Sequence, residues 1–328
     1  MDSGAHVTTN NSGSRVGVDL QEVLAGLGEP LKTIPSKYHY DERGSELFEE
    51  ITCLEEYYPT RVERALLEKW MPELVRELRP ASLVELGPGS SEKSRVALDA
   101  MVDNGCGRAY VPVDVSADFL TATAAALEQE YPSLEILPLV ADITESLGLP
   151  AGLTGPTWVA ILGSTLGNFE EGPALQLLQR VAALLRKEDR FLLGVDLRPG
   201  EGKSAERIEL AYNDAGGVTA AFSLNLLSVL NNAFGCDFDP SAFRHRSCYN
   251  AEAGRIETSL AATSEQTIRF QSGDSVHLAE GEAIRTEVSC KYDRPTIDAL
   301  FARSGLTVDR WIEDSDGYYV LIFGMSTE

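Results

Sequence analysis

The sequence predicts an α/β fold: a doubly wound parallel sheet closed by an antiparallel hairpin. Three observations carry that expectation. Over residues 81–197 short apolar runs alternate with helical patterns, as in a parallel sheet covered on both faces. The alternation stops near Pro199 and resumes at Arg294, so a segment of different character is inserted between. The chain ends in two strand patterns around "SDG", a turn rich in Asp and Gly. With 328 residues, 43% of them hydrophobic, it can build one large domain or two smaller ones.

The elements follow in order. "MDSGAHVTTNNSGSR" has neither a basic n-region nor an apolar h-region, so residues 1–15 read as a disordered polar tail and not as a signal peptide. Residues 18–27 form a short helical pattern. "SELFEEIT" starts a second helix, with Ser45 as its expected N-cap. "YYP" breaks it, and residues 61–79 make a long amphipathic helix. "SLVELG" is the first strand of the sheet, with a helix expected over 90–103. "AYVPVDV" is the next strand, followed by a helix over 117–130 and the strand "LEILPLVADI". "TWVAILGS", a helix over 173–185 and "RFLLGVDL" complete five strands. Within 200–285 a helix is expected over 205–234, then the strand-like "RIETSLAATS", "QTIRFQ" and "SVHLAEGEAIRTEVS". A helix over 294–304 leads into the hairpin of "LTVDRWIED" and "YYVLIFGM". A terminal hairpin on a five-stranded parallel sheet is the class I methyltransferase variant of the Rossmann-like doubly wound fold. The expected division is a methyltransferase domain over 61–199 and 287–328 and a second, α+β substrate domain over 16–60 and 200–286.

Charge and composition exclude several functions. The net charge is −23, which repels phosphate backbones and anionic lipid, so neither a nucleic acid nor a membrane is expected as partner. Cys53, Cys106, Cys236, Cys248 and Cys290 form no C-x-x-C pair and read as reduced thiols of a cytoplasmic protein. His6, His39, His245 and His277 show no metal spacing, so no metal is expected. No apolar run approaches the roughly 18 residues of a membrane span. A monomer is expected.

The chemistry begins at "VELGPGSSEKSR". Ligands of open α/β sheets sit at the carboxyl ends of the strands. Glu85 closes the first strand, and Gly87 and Gly89 let the backbone approach a ligand closely. A third glycine of the dinucleotide fingerprint is missing, and Glu92 is a poor neighbour for a pyrophosphate. A ligand without phosphate that carries positive charge fits better. S-adenosylmethionine meets both requirements, and Lys93 can reach its carboxylate. Asp114 ends the second strand, where it can accept both ribose hydroxyls. Asp142 ends the third, placed for the adenine amino group with Ile143 against the ring. Each acid alone is equally an ordinary loop carboxylate; three at successive strand ends make a pattern.

Several stretches carry a resemblance: "KYHYDERGSELFEEIT", "EYYPTR", "LVELGPGSSEKSR", "ILGSTLGNF", "AYNDAGGVTAAFSLNLL" and "TEVSCKY". From about Lys32 to Phe323 the chain resembles the histidine Nα-methyltransferases of ergothioneine biosynthesis, which convert L-histidine to its trimethylammonium betaine, hercynine. The family also includes fungal enzymes acting on a prenylated tryptophan. The resemblance implies that Gly87, Lys93, Asp114, Asp142 and Ile143 hold S-adenosylmethionine, in agreement with the reading above. It implies that Asn168 and Tyr212 grip the polar end of the amino acid, that Glu287 and Ser289 hold the imidazole, that Tyr57 contacts the ring, and that Tyr40 faces the reacting amine. An amide suits Asn168, since it offers donors to a carboxylate and an acceptor to an amine. Glu287 and Ser289, two apart on a strand, share a face; a carboxylate accepts an imidazole N–H, and a hydroxyl serves the other nitrogen whatever its tautomer. Without the resemblance these residues read as a turn asparagine, a strand edge and packing tyrosines. One position departs: Thr258 stands where the histidine enzymes carry methionine against the substrate ring, a change worth about 1–3 kcal/mol of discrimination.

The implied reaction is an in-line displacement at carbon by a neutral amine, in which the protein mainly positions. Alternatives are an amino-acid N-methyltransferase of tryptophan or tyrosine type, a non-catalytic S-adenosylmethionine-binding protein, and a nicotinamide dehydrogenase. The missing glycine, the hairpin and the lack of a suitable histidine weigh against the dehydrogenase.

Overall fold

The structure is a computed structural model that describes Thr8–Thr9 and residues 18–327. The tail expected over 1–15 lies outside the described residues except for Thr8–Thr9. In chain order the elements are β1 (Thr8–Thr9), α1 (Leu20–Gly28), α2 (Glu42–Thr52), α3 (Tyr58–Leu78), β2 (Ser82–Leu86), α4 (Ser94–Asp103), β3 (Ala109–Asp114) and α5 (Ala117–Glu130). There follow β4 (Glu135–Ile136), β5 (Leu139–Val140), β6 (Thr157–Ile161), α6 (Glu171–Leu184), β7 (Arg190–Asp196), α7 (Ala205–Leu210) and α8 (Val218–Phe234). The chain closes with β8 (Phe243–Asn250), β9 (Arg255–Ala262), β10 (Gln266–Arg269), β11 (Ser275–Leu278), β12 (Ala283–Cys290), α9 (Arg294–Ser304), β13 (Leu306–Glu313) and β14 (Tyr319–Ser326).

The chain divides into two compact units. The first comprises Pro59–Arg198 and Tyr292–Glu328 together with β1. Its sheet runs β1-β5-β3-β2-β6-β7-β14-β13, with β4 also on β3. β2 is parallel to β3 and β6, β6 to β7, and β3 to β5. Among the described residues of this sheet only the hairpin is antiparallel, and its second strand, β14, is the one beside β7. All five residues of β2 and of β6 are buried, as central strands covered on both faces require. Trp158, Tyr110, Leu321 and Phe323 fill the core with Leu67 and Met71 of α3. Each such side chain contributes about 1.5–3 kcal/mol by leaving water.

The second unit comprises Gly17–Tyr58 and Pro199–Lys291. A three-stranded antiparallel sheet, β12-β9-β8, and the β10-β11 hairpin pack with α1 and α8 around Leu226, Leu227, Leu230, Leu260 and Ile284. The boundary expected at 286/287 therefore falls at 291/292. β12 pairs with β9 from Ala283 to Cys290, so it cannot be divided without breaking the ladder.

Four local expectations are corrected. α4 begins at Ser94 and not at Ser90, because Gly87, Gly89 and Ser91 all take positive φ and hold 87–93 as a turn. "LEILPLVADI" is not one strand but two short ones, β4 and β5. The helix expected over 205–234 is split into α7 and α8, with Gly217 in the left-handed region between them. α2 begins at Glu42, capped by Asp41, whose carboxylate accepts from Gly44 N–H at 2.7 Å; Ser45 lies inside the helix. Of the five antiparallel strands β8 to β12, β8 was not expected.

Gly44 also sets how the preceding 3-10 turn, Ser36–His39, meets α2. A Cβ there would stand 1.7 Å from the carbonyl oxygen of His39. Gly44→Ala is expected to destabilise the protein by about 1–3 kcal/mol or more, the cost of overpacking against backbone. Urea denaturation of the variant checks this.

Candidate active site

In the first unit the parallel strands β2, β3 and β5 are neighbours, so their carboxyl ends lie along one edge of the sheet. The turn after β2 starts with Gly87, whose N–H donates to the Val113 carbonyl of β3 at 2.9 Å. Gly87 and Gly89 have φ of +74° and +54°, which glycine adopts without strain. Among the described residues nothing lies within 4 Å of where a Cβ of Gly89 would stand, so the turn presents bare backbone. Glu85 lies beneath the turn, 2% exposed, where one oxygen accepts from the hydroxyls of Ser94 and Tyr110. Burial raises its pKa, and those two hydrogen bonds oppose the rise.

Asp114 and Asp142 are partly exposed at the ends of β3 and just beyond β5, linked by the Ala141 N–H to Asp114 carbonyl bond of 3.0 Å. Asp114 accepts from Ser116 N–H at 3.0 Å. Burial raises its pKa, against the backbone N–H groups of Ser116, Val115 and Gly89. Asp142 accepts from Thr144 N–H at 2.8 Å, and Ile143 stays partly exposed beside it. Lys93 Nζ lies 2.6 Å from Glu63. Asn168 is the last residue of a 3-10 turn, Thr165–Asn168, and is partly exposed. It does not cap α6, whose N-cap is Glu170. Bare glycine backbone, two acids and a lysine on one rim suit a ligand with ribose hydroxyls, an amine and a carboxylate. The donor set therefore fits S-adenosylmethionine.

Sequence reasoning missed Glu63. It is fully buried on α3, and its carboxylate accepts from Lys93, from Gly163 N–H at 2.8 Å and from Tyr319 OH at 2.8 Å. The signal was available: Glu63 shares a helical stripe with Leu66, Leu67, Trp70, Met71 and Leu74, where a carboxylate has no place unless it is paired.

In the second unit the inner face of β8-β9-β12 carries the remaining candidates. β12 bulges between Arg285 and Glu287. Ile284 faces Leu260 before the bulge, while Glu287 faces Thr258 and Ser289 faces Ile256 after it. The extra residue thus turns Glu287 and Ser289 to the side that holds Leu260. Thr258 is fully buried, with its hydroxyl 2.6 Å from Ser247 Oγ on β8. Tyr212 OH lies 2.8 Å from Ser289 Oγ. The Tyr57 ring stands 6.0 Å from that of Tyr212 and 6.3 Å from Phe48, which lies 5.7 Å from Tyr40. Tyr40 and His39 both lie against Phe222 of α8. Tyr40, Tyr57, Tyr212, Thr258, Glu287 and Ser289 are therefore gathered by this unit, an aromatic wall beside a polar strand face. Burial pushes Glu287 up to about 7, partly offset by the positive charge of Lys291. Burial also raises the Tyr57 hydroxyl and holds His39 near 4.

Lys291 was also missed. It is 1% exposed and donates to Tyr212 OH and Ser289 Oγ, both at 2.9 Å. It lies one more two-residue step along the series Glu287, Ser289, which was the signal for it.

A sheet with this strand order, a glycine turn and acids at its strand ends defines an S-adenosylmethionine-dependent methyltransferase of class I. The chain belongs to the family described as histidine-specific, SAM-dependent methyltransferases, whose profile matches residues 19–325. It is 42% identical to the histidine N-alpha-methyltransferase of Mycobacterium tuberculosis (strain CDC 1551 / Oshkosh) over 303 residues, 92% of each chain. It is 41% identical to the protein of that name from Mycolicibacterium smegmatis, again over 92% of each chain. It is 30% identical to the ergothioneine biosynthesis protein 1 of Schizosaccharomyces pombe, over 72% of this chain and 31% of that one.

Removing the Glu63 charge is expected to loosen the first unit. Glu63→Gln leaves Lys93 without its counter-charge and should cost roughly 3 kcal/mol in urea denaturation.

Proposed function

We propose that the protein transfers methyl groups from S-adenosylmethionine to the α-amine of L-histidine, three times, to give hercynine, the first step of ergothioneine biosynthesis. The observation that carries the reading is the Glu287–Ser289 pair, turned inward by the bulge beside Tyr57 and Tyr212. A carboxylate and a hydroxyl on one strand face match the two nitrogens of an imidazole. An indole offers an N–H but no ring acceptor, so tryptophan would give Ser289 no ring nitrogen to meet. Family membership and the relatives' names support the same substrate.

S-adenosylmethionine, when bound, supplies a methyl carbon on a sulfonium. In the first unit Asp114 is assigned to the ribose, Asp142 with Ile143 to the adenine, and Lys93 to the carboxylate, with Gly87 and Gly89 giving close approach. Glu85 supports the turn from below. Asn168 is assigned to the polar end of the amino acid, and Tyr212 to the same end. Glu287 and Ser289 hold the ring, with Thr258 and Tyr57 lining it. The amine must reach the reaction neutral, and Tyr40 is placed to orient it. As methyl groups accumulate, the amine loses its donors and gains a permanent charge. The faces of Tyr40 and Tyr57 stabilise that charge by roughly 0.5–2 kcal/mol each. The same reading has a cytoplasmic monomer acting on free small molecules, without metal, nucleic acid or membrane; the net charge of −23 favours it.

Mass spectrometry of a reaction with L-histidine and S-adenosylmethionine is expected to show a gain of three methyl groups. No methylated histidine would end this reading. Glu287 accepts the imidazole N–H as a carboxylate, and its pKa is about 7. Binding competence is therefore present above that pH and lost as pH falls through it. The plot of log kcat/KM for histidine should steepen below about pH 7, a break absent from Glu287→Gln.

A further inference from the structure

The triangle of Lys291, Tyr212 and Ser289 has a direction. A lysine ammonium has three donors and no acceptor, so both hydroxyls receive from it, each at 2.9 Å. The hydroxyls share one more hydrogen bond, 2.8 Å long. A phenol is far more acidic than an alcohol, and a neighbouring ammonium makes it a still better donor. Of the two hydroxyls Tyr212 is the better donor and Ser289 the better acceptor. Ser289 Oγ then accepts twice, which occupies both lone pairs and leaves its own proton to be offered elsewhere. Two residues away on the same face, Glu287 as a carboxylate has only acceptors to offer.

We propose that Lys291 is a positioning residue that fixes Ser289 as a hydrogen-bond donor, so that the Glu287–Ser289 pair selects a ring with one N–H and one bare nitrogen. Resting on the histidine reading above, this replaces a hydroxyl that serves either tautomer with one that admits only neutral imidazole in a single tautomer. An imidazolium, with two N–H groups, would set one donor against another. The groups around Glu287 leave Lys291 as the charge that bears on it: Tyr57 and Tyr212 are phenols, and burial holds His39 and His245 below their ordinary pKa.

The test uses the full-length protein, S-adenosylhomocysteine and L-histidine labelled with nitrogen-15 in the ring. At pH 7.5 the bound ring should show one protonated and one bare nitrogen. Two protonated nitrogens would overturn the inference while leaving histidine as substrate; no binding at all would overturn the histidine reading instead. In Lys291→Met, histidine affinity should fall about ten- to a hundredfold while S-adenosylhomocysteine affinity stays. The acidic break in kcat/KM should move to higher pH, because Glu287 loses a neighbouring positive charge, and Lys291→Arg should hold it in place. Unchanged histidine affinity and an unchanged break in Lys291→Met would sink the proposal. If Lys291→Met does not fold, the labelled-ligand spectrum of the unaltered protein still decides.

Discussion

The carboxylate of Glu63 is the constraint on which the first unit depends. It is wholly buried, so its charge must be met on the spot. Three groups from distant parts of the chain meet it: the Lys93 ammonium after the glycine turn, the Gly163 N–H after β6, and the Tyr319 hydroxyl on β14. One helix thus fixes the ends of two neighbouring strands and the start of the last one. Gly163 is tied to the same point from another side, since a Cβ there would stand 2.7 Å from Lys93 Nζ at a φ of +74°. A lysine held this way has one position to offer a ligand and loses little side-chain entropy in offering it.

The second unit solves a different problem. Its inner sheet face must be apolar where it packs with α1 and α8 and, on the histidine reading, polar where the amino acid would lie. Leu260 and Ile284 serve the first need, while Thr258, Ser247, Glu287 and Ser289 serve the second. The polar groups are satisfied mostly by one another, Ser247 with Thr258 and Ser289 with Tyr212 and Lys291. The hydroxyl of Thr258 is bonded to Ser247 and so is accounted for inside the protein.

Much of the first unit was legible in the sequence because its strands are buried on both faces and read as unbroken apolar runs. β2, β3, β6 and β7, the glycine turn and the acids at strand ends followed from pattern alone. β8 did not, for a physical reason. Its inward residues, His245, Ser247 and Tyr249, are polar because they face the polar region, and Arg244, Arg246 and Cys248 point out, so no apolar alternation exists to detect. The late start of α4 was hidden because Ser91 takes a positive φ that its residue type does not announce. Tyr40, Tyr57 and Tyr212 were found through resemblance; composition gives no hint that three tyrosines far apart in sequence share one wall. Glu63 and Lys291 were legible in principle, each a charge at a buried phase of its element.

The bulge in β12 has one more effect. A strand without it would lock all its side chains into a single alternation, and shifting any one of them would carry every other to the wrong side. The extra residue, Thr286, acts as a joint that uncouples the two halves. Ile284 upstream packs among oily neighbours, while on the histidine reading chemical discrimination sits downstream at Glu287 and Ser289, on the same side of the strand. A strand jointed in this way carries two kinds of side chain, oily and chemical, on one side of one frame.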